Sequence, residues 1–220
     1  MCFKVKNENQ EFGEGIAVGG FLLKSGEKVV FIGDSITDCG RRANFPPLGN
    51  GYVSIIANLA AAKYPEREIT WVNKGIGGDT VQGLANRWTE DVISENPNWV
   101  SIYIGINDVA RKIPLEDFEK SYREIINRTI NEANARIIMF EIFYIPSEDA
   151  FNRGLKITPY NQIICKLAEE YNAILVPIGR AFDEAVKRGK SRQWTTNDGV
   201  HPNQIGHTLI ALKFLENVGW

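Results

Sequence analysis

Lys28-Val29-Val30-Phe31-Ile32-Gly33-Asp34-Ser35-Ile36-Thr37 opens as an apolar, β-branched run and ends abruptly on a glycine, an acid and two hydroxyl side chains. An unbroken apolar run, rather than an apolar/polar alternation, predicts a strand buried on both faces, as in a parallel sheet. Further strands are predicted at Ile69–Asn73, Trp99–Gly105, Arg136–Phe143 and Ala173–Ile178. Segments of helical period separate or follow them: Gly51–Tyr64, Val81–Ser94, Leu115–Ala133, Pro159–Tyr171, Arg180–Arg188 and Gln204–Asn217, the last behind Asn203 as N-cap. Strand and helix in alternation make βαβ units. The expected fold is therefore a three-layer α/β/α sandwich around a five-stranded parallel sheet, with its ligands at the C-terminal ends of the strands.

The composition fits that expectation. The 220 residues are 44% apolar and 24% charged, the proportions of an ordinary globular chain. Twenty-five Lys and Arg against 27 Asp and Glu leave a net charge of -2, so no global positive field draws in nucleic acid or anionic lipid. Three cysteines without CxxC spacing and two histidines support neither a disulfide framework nor a zinc cage, and the thiols read as reduced. No apolar run approaches the length of a membrane span, since Glu141 splits the longest candidate. Lys4 and Lys6 precede Glu11 and Glu14 before the short apolar run Gly15–Leu23, which no A-x-A site closes, so a cytoplasmic location is expected. Residues 1–26 read as an N-terminal extension and 27–220 as a single domain. The loops Thr37–Asn50 and Tyr144–Ile157 are candidate cavity walls.

Ser35 stands directly beyond the first strand, where a hydroxyl projects into the crevice. A serine becomes a nucleophile only with a base beside it. Asp198-Gly199-Val200-His201-Pro202, in a turn-rich loop before the last helix, offers an imidazole and a carboxylate to orient it. Thr37 fills the place of the second glycine in G-x-S-x-G, which disfavours an ordinary α/β-hydrolase elbow. The glycine turn Gly75-Ile76-Gly77-Gly78 after the second strand and Asn107 after the third could supply donors to an oxyanion. His207, inside the final helix, reads as structural. Neither phosphate-binding glycine motif is completed, so a flavodoxin-like nucleotide binder is a poor second reading.

Together, Gly33-Asp34-Ser35-Ile36, Gly78-Asp79-Thr80, Gly105-x-Asn107-Asp108 and Asp198-x-x-His201-Pro202 resemble, in order, the blocks of the SGNH hydrolases, also called GDSL-type esterases and lipases. The resemblance implies Ser35 as nucleophile, His201 as base and Asp198 as its orienting acid. It implies an oxyanion hole from the Ser35 N–H, the Gly78 N–H and the Asn107 amide. Within that family the likeness is to small bacterial acetyl xylan esterases and carbohydrate deacetylases, through FIGDSITDCGR (31–41), VNKGIGGDT (72–80) and WVSIYIGINDV (99–109). Those relatives tend to carry a tryptophan beside the aspartate, whereas here Thr195-Thr196-Asn197 separates Trp194 from Asp198.

The expected activity is hydrolysis of short-chain acyl esters, foremost acetyl, on xylan-derived or other acetylated saccharides, with no cofactor and no metal. Asp34 and Trp194 are the candidate substrate contacts. A homo-oligomer is an expectation from the resemblance alone. The rivals are a lysophospholipase or thioesterase using the same residues on longer acyl chains, and a non-catalytic carbohydrate-binding protein.

Overall fold

The computed structural model describes residues 20–146, 154–189, 194–196 and 198–220. The strands are β1 (Lys28–Gly33), β2 (Thr70–Asn73), β3 (Trp99–Tyr103), β4 (Arg136–Phe140) and β5 (Ile174–Val176). All pair in parallel, in the order β2-β1-β3-β4-β5. The central strand β3 is buried at every position, while the edge strands β2 and β5 are only partly covered. The apolar runs are thus longest where both faces carry helices. The strand order reverses direction between β1 and β3, the switch point at which such sheets open a ligand crevice.

The helices are α1 (Ser35–Asp38), α2 (Tyr52–Lys63), α3 (Val81–Asn86), α4 (Trp88–Asp91), α5 (Ile106–Ala110), α6 (Leu115–Ala133), α7 (Thr158–Glu170), α8 (Ile178–Arg188) and α9 (Gln204–Asn217). α6 buries Phe118, Tyr122, Ile125, Ile126 and Thr129, a helical spacing that turns one stripe to the core and leaves the charged face in water. Full burial of each large apolar side chain on that stripe contributes about 1.5–3 kcal/mol. The helix ends at Asn134, whose left-handed conformation (φ 50°) is one an asparagine adopts readily.

The expected helix Val81–Ser94 is divided into α3, α4 and a 3-10 turn at Ile93–Glu95. Its break falls at Arg87, where φ is -111° and ψ 11°. The Arg87 guanidinium there spans the Lys74 and Gly33 carbonyls and the carboxylates of Asp79 and Asp91, tying the break to the ends of β1 and β2. β4 stops at Phe140 although Ile142 and Phe143 are buried. The Asn161 amide occupies both the N–H and the C=O of Ile142, replacing the neighbouring strand as backbone partner.

Residues 20–26, grouped on sequence grounds with the extension, pack into the core through Phe21 and Leu23, and the Leu22 N–H donates to the Val218 carbonyl. Residues 1–19 lie outside the described residues. Cys39 is a free thiol. Cys165, expected to be reduced, is disulfide-bonded; an odd cysteine count rules out complete pairing but not one bridge. No described helix is long and apolar enough to cross a membrane.

Candidate active site

Three strand ends and one loop converge at the switch point. β1 runs into Asp34, whose carboxylate accepts from the Ile36 N–H at 2.9 Å and so starts α1 with Ser35 at its first position. This places Ser35 at the mouth of the crevice and Asp34 beneath it. Asp34 is 1% exposed. Its carboxylate is thus turned into the protein under the nucleophile rather than out into the crevice. Burial pushes its carboxyl up to about 7, against the smaller opposing effect of the Ile36 hydrogen bond.

The loop before α9 carries the imidazole. Thr195 and Pro202 form an isolated antiparallel bridge, with Thr196 N–H donating to the His201 carbonyl and Asn203 N–H to the Trp194 carbonyl. Close approach of α9 to this loop requires Gly206, where a Cβ would collide with the Trp194 carbonyl. Inside the loop, one Asp198 oxygen accepts from the Val200 and His201 N–H groups at 3.0 and 2.9 Å, and the other lies 2.5 Å from His201 Nδ1. Burial pushes the Asp198 carboxyl up, but the donations from His201 and Val200 outweigh it and hold the group below its ordinary value. On the far side of the ring, His201 Nε2 lies 2.8 Å from Ser35 Oγ, across 166 positions of sequence.

The expected oxyanion donors surround the same hydroxyl. The Gly77–Gly78 turn faces Ser35: a Cβ on Gly77 would lie 3.9 Å from the Ser35 Cβ. Gly78 has φ 78°, a conformation that glycine alone takes without strain, and its carbonyl accepts from Arg111 at 2.7 Å. Neither the Ser35 N–H nor the Gly78 N–H donates to another described residue. Asn107, at the start of α5, donates to the Asp79 carbonyl at 2.9 Å, which fixes the amide while leaving its second N–H for a ligand. Asp108, next to it, turns inward: both its oxygens accept from the Val81 N–H at the start of α3.

Trp194 does not join this group. Its ring packs edge-on against Phe182, 6.4 Å between centroids, and it is absent from the described walls of the cavity at Ser35. Asn197, which fills the position beside Asp198, lies outside the described residues.

A second pairing was not legible in the sequence. Cys39 Sγ and His207 Nε2 are 3.2 Å apart in the wall of the cavity that Ser35 and His201 also line, a thiol and an imidazole in the arrangement of a cysteine hydrolase. The hydrogen bonds exclude that chemistry. His207 Nδ1 accepts from the Tyr52 N–H at 3.2 Å, so in the neutral ring the proton sits on Nε2, pointing at the sulfur. The ring is kept neutral because burial lowers its pKa to about 4. Burial and the neighbouring Asp38 and Asp34 charges push the Cys39 thiol up to about 12. His207 is thus a structural residue linking α9, α2 and the turn after α1. Among the described residues no cluster of His, Cys, Asp and Glu is arranged to hold a metal ion.

The sequence profile of the GDSL-like lipase/acylhydrolase family matches residues 31–209. The acetylxylan esterase of Geobacillus stearothermophilus is 39% identical over 215 residues, covering 90% of this chain and 96% of its own. Its crystal structure superposes with a TM-score of 0.81 over 90% of this chain and 97% of that one. An arylesterase of Vibrio mimicus is 26% identical over 86% of each chain. The thioesterase 1/protease 1/lysophospholipase L1 of Escherichia coli K12 is 31% identical over 64% of this chain and 62% of its own. With a serine, an imidazole and a carboxylate in line at the end of β1 and this likeness along most of its length, the chain belongs to the GDSL-like lipase/acylhydrolase family and is a carboxylic ester hydrolase.

Proposed function

We propose that the protein removes acetyl and other short acyl groups from acetylated saccharides, xylan-derived oligosaccharides foremost, through an acyl-enzyme on Ser35. The observation that carries this reading is the 2.8 Å approach of Ser35 Oγ to His201 Nε2, in a chain 39% identical to an acetylxylan esterase. Crystal structures of catalytic mutants of that esterase replace a serine, an aspartate and a histidine, the same three residue types.

In this mechanism His201 Nε2 takes the Ser35 hydroxyl proton as Oγ adds to the ester carbonyl carbon. The carbonyl oxygen becomes an alkoxide held by the N–H groups of Ser35 and Gly78 and by the Asn107 amide. The bond to the alcohol oxygen then breaks, and the imidazolium returns the proton to that oxygen. A water attacks the acyl-serine while His201 takes its proton, and collapse of the second tetrahedral species releases the acid and restores the hydroxyl. Asp198 holds Nδ1–H and balances the transient positive charge on the ring.

Asn107→Ala removes one donor from the developing alkoxide and lowers kcat by about 10²–10³ with little change in KM, the cost of losing one such donor. Steady-state hydrolysis of p-nitrophenyl acetate checks it. The substrate reading is tested by acetate release from acetylated xylo-oligosaccharides, beside a p-nitrophenyl ester series from acetate to decanoate. A preference for decanoate, with no acetate released from the saccharides, would sink it in favour of a long-chain acyl hydrolase.

A further inference from the structure

Ser35 and His201 open on a cavity of about 420 Å³, within the size range of small-molecule sites. Gly78 and Asn107 are not among its described walls. The cavity therefore lies on the imidazole side of the nucleophile, away from the Gly78 and Asn107 donors. The chemistry assigns a substrate half to each side. The carbonyl oxygen must turn toward the donors, whereas the leaving oxygen must come within reach of His201 Nε2 to be protonated. From this division, which rests on the esterase reading above, we infer that the cavity is the binding site of the alcohol half of the ester, and that it takes a neutral, hydroxyl-rich ring, with Asn50 and Gln204 as its specificity-determining side chains.

The lining argues for that ligand. Beyond Ser35 and His201 the polar walls are Asn50, Thr196, Asn203 and Gln204, with Cys39 and His207 lining it further in. Amides and a hydroxyl both donate and accept, as sugar hydroxyls do. No lysine or arginine lines the described cavity, and His207 is held neutral, so nothing there neutralises a phosphorylated headgroup. A lysophospholipid leaving group would be left with an unpaired charge. Asn50 and Gln204 are both exposed at the rim, and the Gln204 Nε2 donates to the Asn50 backbone carbonyl at 2.9 Å. This bond joins the loop before α2 to the start of α9 and leaves the Gln204 carbonyl oxygen available to accept.

Asn50→Leu and Gln204→Leu each replace a rim amide with methyl groups without adding side-chain heavy atoms. In both variants kcat/KM on a partially acetylated xylobiose should fall at least about tenfold further than kcat/KM on p-nitrophenyl acetate, chiefly through KM, because the nitrophenol half makes no use of sugar-type hydrogen bonds. Thermal melting shows whether each variant is folded, and Asn50→Leu retains the Gln204 bond because that bond ends on the backbone. Equal losses on the two substrates, or none, overturn the assignment of the cavity while leaving the esterase reading intact. A wild-type enzyme that cleaves p-nitrophenyl acetate but no acetylated saccharide overturns the saccharide reading and this assignment with it.

Discussion

Ser35→Ala is expected to lower kcat on p-nitrophenyl acetate by at least ~10³, leaving only the rate that binding and oxyanion stabilisation supply without a nucleophile. The size of the loss follows from what the hydroxyl does: without Oγ there is no acyl-enzyme, and His201 has no proton to accept in the first step. His201→Ala should cost a comparable factor, and the double variant little more than either alone, since the two act as one unit. The measurement also decides between the two pairs at the cavity. Were Ser35→Ala to keep a tenth or more of its turnover, Cys39 and His207 would be the remaining nucleophile and base. The tautomer set by the Tyr52 N–H and a thiol pushed up to about 12 both argue against that result. An organophosphonate should label the wild-type protein at Ser35 and leave the alanine variant unmodified.

The parts of this molecule legible in the sequence are those written locally. α6 and α9 begin and end where period and capping placed them, and the Asn203 side chain accepts from the Gly206 N–H as an N-cap should. β1 likewise ends where its apolar run meets Asp34. Errors concentrate where tertiary partners override local preference. The Asn161 amide ends β4 early by taking the backbone groups of Ile142, and the contacts of Arg87 fall at the break in the helix expected over Val81–Ser94. Neither residue advertises such contacts, because the backbone groups they take up, on Lys74, Gly33 and Ile142, lie 13 to 54 positions away along the chain.

The site divides in the same way. The Asp198 and His201 pairing is local, three positions apart in one loop, so spacing alone suggested it. The approach of Ser35 to that loop is not local: the need of a serine for a base suggested the pairing, and the resemblance of four blocks to one family strengthened it. Cys39 and His207, 168 positions apart and in no shared motif, gave no signal. Asp34 and Trp194 are oriented by partners of the same kind. Asp34 turns down to cap α1 and Trp194 packs edge-on against Phe182.

Asp198→Asn tests the orientation of the ring and should be more damaging than its near-identical shape suggests. One oxygen of Asp198 accepts two backbone N–H groups, from Val200 and His201, a task the amide nitrogen of asparagine cannot perform. The asparagine must therefore keep its oxygen there and present its NH2 group to His201 Nδ1. With a donor facing it, Nδ1 becomes the acceptor, and the ring proton moves to Nε2, pointing at Ser35 Oγ. The base is then in the wrong tautomer, and kcat should fall by roughly 10³–10⁴ with KM little changed. Asp198→Ala leaves Nδ1 without a donor facing it, so the ring can still adopt the productive tautomer part of the time. The alanine variant should accordingly be no slower than the asparagine variant, an ordering that simple loss of a negative charge does not require. An asparagine variant with more than a tenth of wild-type turnover, or one clearly faster than the alanine variant, would show that the Asp198 contact does not set the ring's protonation.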